Sequence, residues 1–160
     1  MVNLMSKISS FIKRNISRKS KIEFEAEKIY SRYKRFTMIP KDLYIDNLLL
    51  AKKFAEIPGE IVECGVWKGG MIAGISEFIG RKKANLFDSY QGLPLVREID
   101  GEAAWNWQNN PEGEYFYDNC SADEKYAIEA MELSGVEYTS YKGWFKDVFN
   151  SSIPIESISI

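Results

Sequence analysis

Two short strings in this chain combine residue types that do chemistry together. The first is Ile61-Val62-Glu63-Cys64-Gly65-Val66-Trp67-Lys68-Gly69-Gly70, an apolar run that ends in an acid and then turns through glycines. A strand that feeds such a turn into a helix sets backbone N–H groups and a positive helix end beside a crevice at the strand's carboxyl edge. That is the architecture of a nucleotide or nucleoside site. The second string is Leu86-Phe87-Asp88-Ser89-Tyr90-Gln91-Gly92-Leu93-Pro94, with Asp88 lying 23 residues after Gly65. An acid at that offset, capping the second strand, accepts hydrogen bonds from ribose hydroxyls.

The spacing separates two cofactor classes. A dinucleotide fingerprint requires Gly-x-Gly-x-x-Gly so that a pyrophosphate can approach the backbone, but here Trp67 replaces the second glycine and its indole opposes that approach. An acid at Glu63 suits a cofactor whose amino-acid part carries an ammonium group. Methionine-derived cofactors have one and dinucleotides do not.

The elements that position these residues follow from periodicity. Residues 22–33 mix charged and apolar positions at helical spacing, and Pro40 opens a helix through Ile57 in which Leu43, Asn47, Leu50 and Phe54 share a face expected to meet the core. After Pro58-Gly59 come a strand near residues 60–63, a buried helix over 71–79 and a strand at 84–88. An aromatic, acidic stretch through Asn119 reads as loop. A helix over 121–133, a strand over 136–141 and a fourth strand over 155–160 complete the order. Such alternation predicts an α/β fold, a Rossmann-like doubly wound parallel sheet, truncated after the fourth strand and carrying an N-terminal helical extension. Residues 1–35 form the basic, partly helical extension and 36–160 the domain. Within 1–21 six Lys and Arg residues and no acids accompany a thin apolar stripe, which at most tethers the chain weakly to anionic lipid.

Composition narrows the function. With 160 residues, 45% of them apolar, the chain has material for one ordinary core. A net charge of -2 argues against nucleic acid as a partner. The absence of histidine removes Ser-His and Cys-His nucleophile pairs and the usual zinc sites, and Cys64 and Cys120 form no Cys-x-x-Cys motif and read as free thiols, Cys64 as a small buried residue. No apolar run approaches a transmembrane length and no signal peptide is evident, so a cytoplasmic location is expected.

The strings VECGVWKGG and LFDSYQGLP, together with a later KGWFKDVF, resemble the motifs of the macrocin O-methyltransferase family, class I enzymes that use S-adenosyl-L-methionine, and the resemblance runs from about Phe36 to the chain end. It implies methyl transfer to a hydroxyl of a saccharide or secondary metabolite. It carries Glu63, Cys64, Gly65, Val66 and Trp67 onto the cofactor loop, Asp88, Ser89, Tyr90, Gln91 and Gly92 onto the ribose and adenine segment, and Thr37 and Met38 onto a pre-helix segment that closes over the cofactor. Ser121 matches a serine beside the adenine region, although Ser121-x-x-Glu124 also reads as a helix capping box. Trp144 reads as core packing, and Trp105 and Trp107 as either acceptor-pocket walls or a loop tucked onto the core.

In the family a Leu-Asp-x-Asp-x-Tyr-like segment after the fourth strand binds a divalent metal, Mg²⁺, and helps deprotonate the acceptor. This chain ends at Ile160, so the catalytic residues are expected beyond it and no metal ligand is assigned within it. The chain alone is expected to be inactive, with self-association through an exposed fourth strand in the sheet order 3-2-1-4. The alternative reading is a non-catalytic nucleoside-binding or partner-binding remnant of such an enzyme.

Overall fold

The computed structural model describes residues 21–80, 82–112 and 120–149. The basic segment before residue 21 and the expected fourth strand at 155–160 lie outside these. Helix α1 occupies residues 21–33, followed by a 3-10 turn at Lys34–Phe36. Helix α2 (Lys41–Lys53), strand β1 (Ile61–Cys64), helix α3 (Gly70–Phe78) and strand β2 (Ala84–Asp88) come next. Helix α4 (Gly101–Asn109), helix α5 (Glu124–Ser134), strand β3 (Tyr138–Lys142) and a single turn, α6 (Phe145–Val148), complete the described part.

The three strands form one parallel sheet in the order β1-β2-β3, as the alternation of strands and helices predicts. Register decides what faces what. Glu63 pairs with Leu86 and Leu86 with Ser140, while the next row is Cys64, Phe87 and Tyr141. Because successive side chains in a strand point to opposite faces, these two rows lie on opposite sides. The Leu86 row faces the helices: Leu86 is fully buried in the main core, and Ser140 Oγ donates to Glu124 Oε1 of α5 at 2.8 Å. On the other side Phe87 stacks on Tyr141 with ring centroids 4.4 Å apart and touches Phe149 at 5.0 Å. The described helices α1, α2, α3 and α5 gather on one face of the sheet, so the second helical layer of a doubly wound fold is represented among the described residues only by the Phe145–Phe149 segment.

Helix packing explains several glycines. Tyr44 of α2 is fully buried and its hydroxyl donates to the Gly70 carbonyl at 2.6 Å. A Cβ on Gly74 would sit 1.8 Å from that hydroxyl, so only glycine lets α2 lie this close to α3. At the head of α3, a Cβ on Gly70 would come within 2.6 Å of the Phe36 carbonyl oxygen, and one on Gly69 within 2.8 Å of the Ala127 backbone of α5. Helix α1 is tied in by Ala26, Ile29 and Tyr33, which are buried, and by Tyr33 donating to Glu77 Oε2 at 2.6 Å beside an Arg32–Glu77 ion pair.

Three sequence readings are corrected. The core-facing side of α2 carries Tyr44 and Leu48, and Leu43, Leu50 and Phe54 are each more than half exposed. Residues Gly101–Asn109 form a helix where the sequence reads as loop. Helix α5 begins at Glu124 with Asp123 as its cap, its carboxylate accepting from the Lys125 amide at 3.0 Å, so Ser121 is not the capping residue.

Candidate functional site

The carboxyl ends of all three strands meet at a cavity of about 320 Å³. Pockets of this size admit small-molecule ligands, and the carboxyl edge of a parallel sheet is where α/β folds place them. The turn after β1 contributes Gly65 and Trp67, β2 and its loop contribute Asp88, Ser89, Gly92, Leu93 and Pro94, and the end of β3 contributes Gly143 and Trp144. Met38, Cys120 and Phe145 close the remaining sides.

Asp88 holds these pieces together. Its Oδ2 accepts the Trp67 amide at 2.7 Å, its Oδ1 accepts the Tyr90 amide at 2.7 Å, and its backbone carbonyl accepts the Gly143 amide at 2.9 Å. One residue thus fixes the turn after each strand. Each carboxylate oxygen has a further lone pair for a ligand hydroxyl. The Trp67 amide, committed to Asp88, is withdrawn from the set of N–H groups that a pyrophosphate would need.

The backbone here is strained. Trp67, Tyr90 and Cys120 have φ of 52°, 58° and 57°, the left-handed region that favours glycine, and they are the non-glycine residues in that region among those described. Trp67 and Cys120 stand on the cavity wall, and Tyr90 lies between the wall residues Ser89 and Gly92. Gly65, at φ 83°, has nothing within 4 Å of where a Cβ would be, so the turn leaves open space on the cavity side. The ring of Trp67 is capped by Lys68 Nζ, 4.3 Å from its centroid, which also lies 5.2 Å from the Tyr126 ring.

Glu63, at the end of β1, carries the unusual charge state. Its Oε2 is out of contact with solvent and has no hydrogen-bond partner among the described residues. Burial, reinforced by the nearby Asp88, pushes its pKa up to about 8 against the opposing pull of the Ile72 amide in the first turn of α3. A carboxyl oxygen sealed from water without a donor is costly to keep. The Asp88 carboxylate, on the wall, therefore suits a ligand with a ribose-like diol.

Of the residues singled out from the sequence, Met38, Gly65, Trp67, Asp88, Ser89 and Gly92 stand on the cavity wall, whereas Thr37, Glu63, Cys64, Val66, Tyr90, Gln91 and Ser121 do not. Val66 turns into the core, and Cys64 is exposed on the sheet's other face, not buried as its residue type suggests. Thr37 Oγ1 and Ser89 Oγ accept the amides of Ile39 and Gln91, each at 3.1 Å, and so shape their turns. Cys120 takes the wall position beside Ser121. Trp144, read as core packing, is a wall residue; its KGWF string was the available signal. Trp105 and Trp107 lie on α4, away from this wall.

Among the described residues no three His, Cys, Asp or Glu side chains gather as a metal ion requires, so the Mg²⁺ expected of the full-length family finds no ligand set there. Nor is any described helix long and apolar enough to cross a membrane. A family model described as Macrocin-O-methyltransferase (TylF) matches residues 35–160. No curated protein and no solved structure gives a match.

Proposed function

Because this chain belongs to the macrocin O-methyltransferase family, and so to a family of methyltransferases, we propose that the cleft at the carboxyl edge of its sheet binds S-adenosyl-L-methionine for methyl transfer to a hydroxyl of a saccharide or related metabolite. The observation that carries the reading is Asp88, the acid at the end of β2, standing on the wall of a cavity that the turns after all three strands enclose, with a second acid, Glu63, just behind the wall at the end of β1. Asp88 is set to receive ribose hydroxyls while it holds the loops, and Glu63 to receive the ammonium of the methionine part. Leu93, Pro94, Trp144 and Phe145 offer apolar and aromatic surface on which a purine can lie, and Met38 lines the cavity with them.

When bound, the cofactor supplies a methyl group on a sulfonium, and the protein's task is to hold that carbon in line with an acceptor oxygen in a dry cleft. Gly65 leaves room for close approach, and the strained Trp67 turn, locked by Asp88, fixes the cleft before the ligand arrives. A base for the acceptor hydroxyl is not assigned among the described residues.

Calorimetric titration separates this reading from a dinucleotide site. S-adenosylmethionine and S-adenosylhomocysteine should bind with dissociation constants at least tenfold below that of NAD. Equal or tighter binding of NAD would contradict the reading.

A further inference from the structure

Leu93 and Pro94 line the cleft, and from Leu95 the chain runs outward through a 3-10 turn at Glu98–Asp100 into α4. Neither the turn nor α4 buries a residue, and α4 packs chiefly on the turn before it. Burial of apolar surface therefore does not explain why the end of this helix comes back to the wall. Polar bonds do. The Gln108 carboxamide, in the last turn of α4, accepts the Val96 amide through Oε1 at 2.7 Å and donates through Nε2 to the Pro94 carbonyl at 3.0 Å. One planar side chain thus meets the backbone on both sides of Leu95, as a paired strand would. The turn between is closed by its own bonds: the Arg97 amide donates to Asp100 Oδ2 at 2.7 Å and the Asp100 amide to the Arg97 carbonyl at 2.9 Å. The next residue, Asn109, turns its carboxamide back onto the Trp105 carbonyl within the helix, at 2.9 Å.

Resting on the cofactor reading above, we propose that Gln108 is a positioning residue of the cleft: its carboxamide clasps the backbone at Pro94 and Val96 and so holds the Leu93–Pro94 surface in place on the purine side. The loop is ordered before the ligand arrives, and its ordering cost does not fall on the binding step. Gln108 touches the wall's backbone and acts on the nucleoside through it. Because Leu93 and Pro94 belong to the purine side, the clasp serves the nucleoside part of the ligand and is indifferent to the amino-acid part.

The test pairs calorimetric titration with amide hydrogen exchange on the intact protein. Gln108→Met keeps the side chain's length and helix propensity but removes both bonds. It should bind S-adenosylhomocysteine and 5′-methylthioadenosine, which lacks the amino-acid part, each about three- to tenfold more weakly than the parent. Its denaturant midpoint should match the parent's, because α4 buries no residue. Gln108→Glu keeps the acceptor for Val96 and loses the donor to Pro94, and its affinities should fall between. Asn109→Ala, on the same turn, should bind both nucleosides as the parent does. The Val96 amide should be protected from exchange in the parent and lose that protection in Gln108→Met. Parent-like binding by Gln108→Met, a loss confined to S-adenosylhomocysteine, a midpoint that falls together with the affinity, or an unprotected Val96 amide in the parent would overturn the proposal. The Val96 measurement on the unaltered protein decides the matter even where a variant fails to fold. A parent that binds and a Gln108→Met that binds equally well defeat this inference alone, whereas a parent that binds neither nucleoside defeats the cofactor reading and this role with it.

Discussion

The helix layer and the strand-end turns of this molecule solve opposite problems with the same three strands. Between α1, α2 and α3 the buried phenols are paired, Tyr33 with Glu77 and Tyr44 with the Gly70 carbonyl, and the Ser76 hydroxyl is the buried group left without a partner among the described residues. Glycines there exist to let helices touch. At the carboxyl edge, by contrast, Trp67, Tyr90 and Cys120 occupy a backbone region suited to glycine, and one oxygen of Glu63, Oε2, is sealed from water without a hydrogen-bond partner among the described residues. Backbone rules are kept in the helix layer and broken together at the proposed ligand edge. The fold supplies the stability that the turns spend.

The contrast is broken most severely from the packing side. Gly74→Ala places a methyl group against the Tyr44 hydroxyl and should destabilise the protein by about 3 kcal/mol, read as a lower denaturant midpoint at unchanged slope. Adding Tyr44→Phe should recover part of that loss, since the hydroxyl is the nearest atom.

A second prediction turns on pH. The folded protein holds the Glu63 proton more tightly than the unfolded chain does, because burial raises its pKa to about 8. As pH rises from about 5 to 8 the unfolded state loses this proton first, so the native state without ligand loses stability over that window. Glu63→Gln does not titrate there. Relative to the parent it should gain on the order of 2 to 3 kcal/mol between pH 5 and pH 8, measured by denaturation at each pH. A parallel pH dependence in both proteins would show Glu63 to be solvated.

Asp88→Ala should weaken S-adenosylhomocysteine binding by about 2 kcal/mol, roughly 30-fold, through lost ligand hydrogen bonds and released loops. Asp88→Asn keeps one acceptor oxygen and should fall between. The smallest effect sharpens the comparison most. Trp67→Gly relieves a left-handed tryptophan and should stabilise the free protein by up to about 1 kcal/mol while binding the nucleoside less tightly. Loss of both stability and binding would show that Trp67 is held for packing.

The sheet was legible because its signals are local. Short β-branched or apolar runs at 61–64 and 84–88, each followed by glycine-containing turns, leave little choice of structure, and Asp88 declares itself by its offset from Gly65. The face of α2 was not, because that helix offers two apolar stripes. Tyr44 and Leu48 win over Leu43, Leu50 and Phe54 through the gap at Gly74, which lies 30 residues further along the chain. Helix α4 was hidden because its opening glycine and its acidic, aromatic content read as loop, although Ala103 and Ala104 favour a helix. Gly143 and Trp144 reach the cavity through the return of β3 to the sheet, with the KGWF string as their signal, whereas Cys120 reaches it from the segment before α5, which has no signature in residue spacing.

The cleft where Gly65, Asp88 and Gly143 meet is proposed as the site of an S-adenosyl nucleoside. An amide and indole N–H correlation spectrum recorded during titration with S-adenosylhomocysteine tests it most directly. The account predicts saturable shifts in the amides of Gly65, Asp88, Gly92 and Gly143 and in the indoles of Trp67 and Trp144, with the indoles of Trp105 and Trp107 unmoved. Shifts confined to α2 or α4, or none at concentrations where the ligand binds, would contradict it.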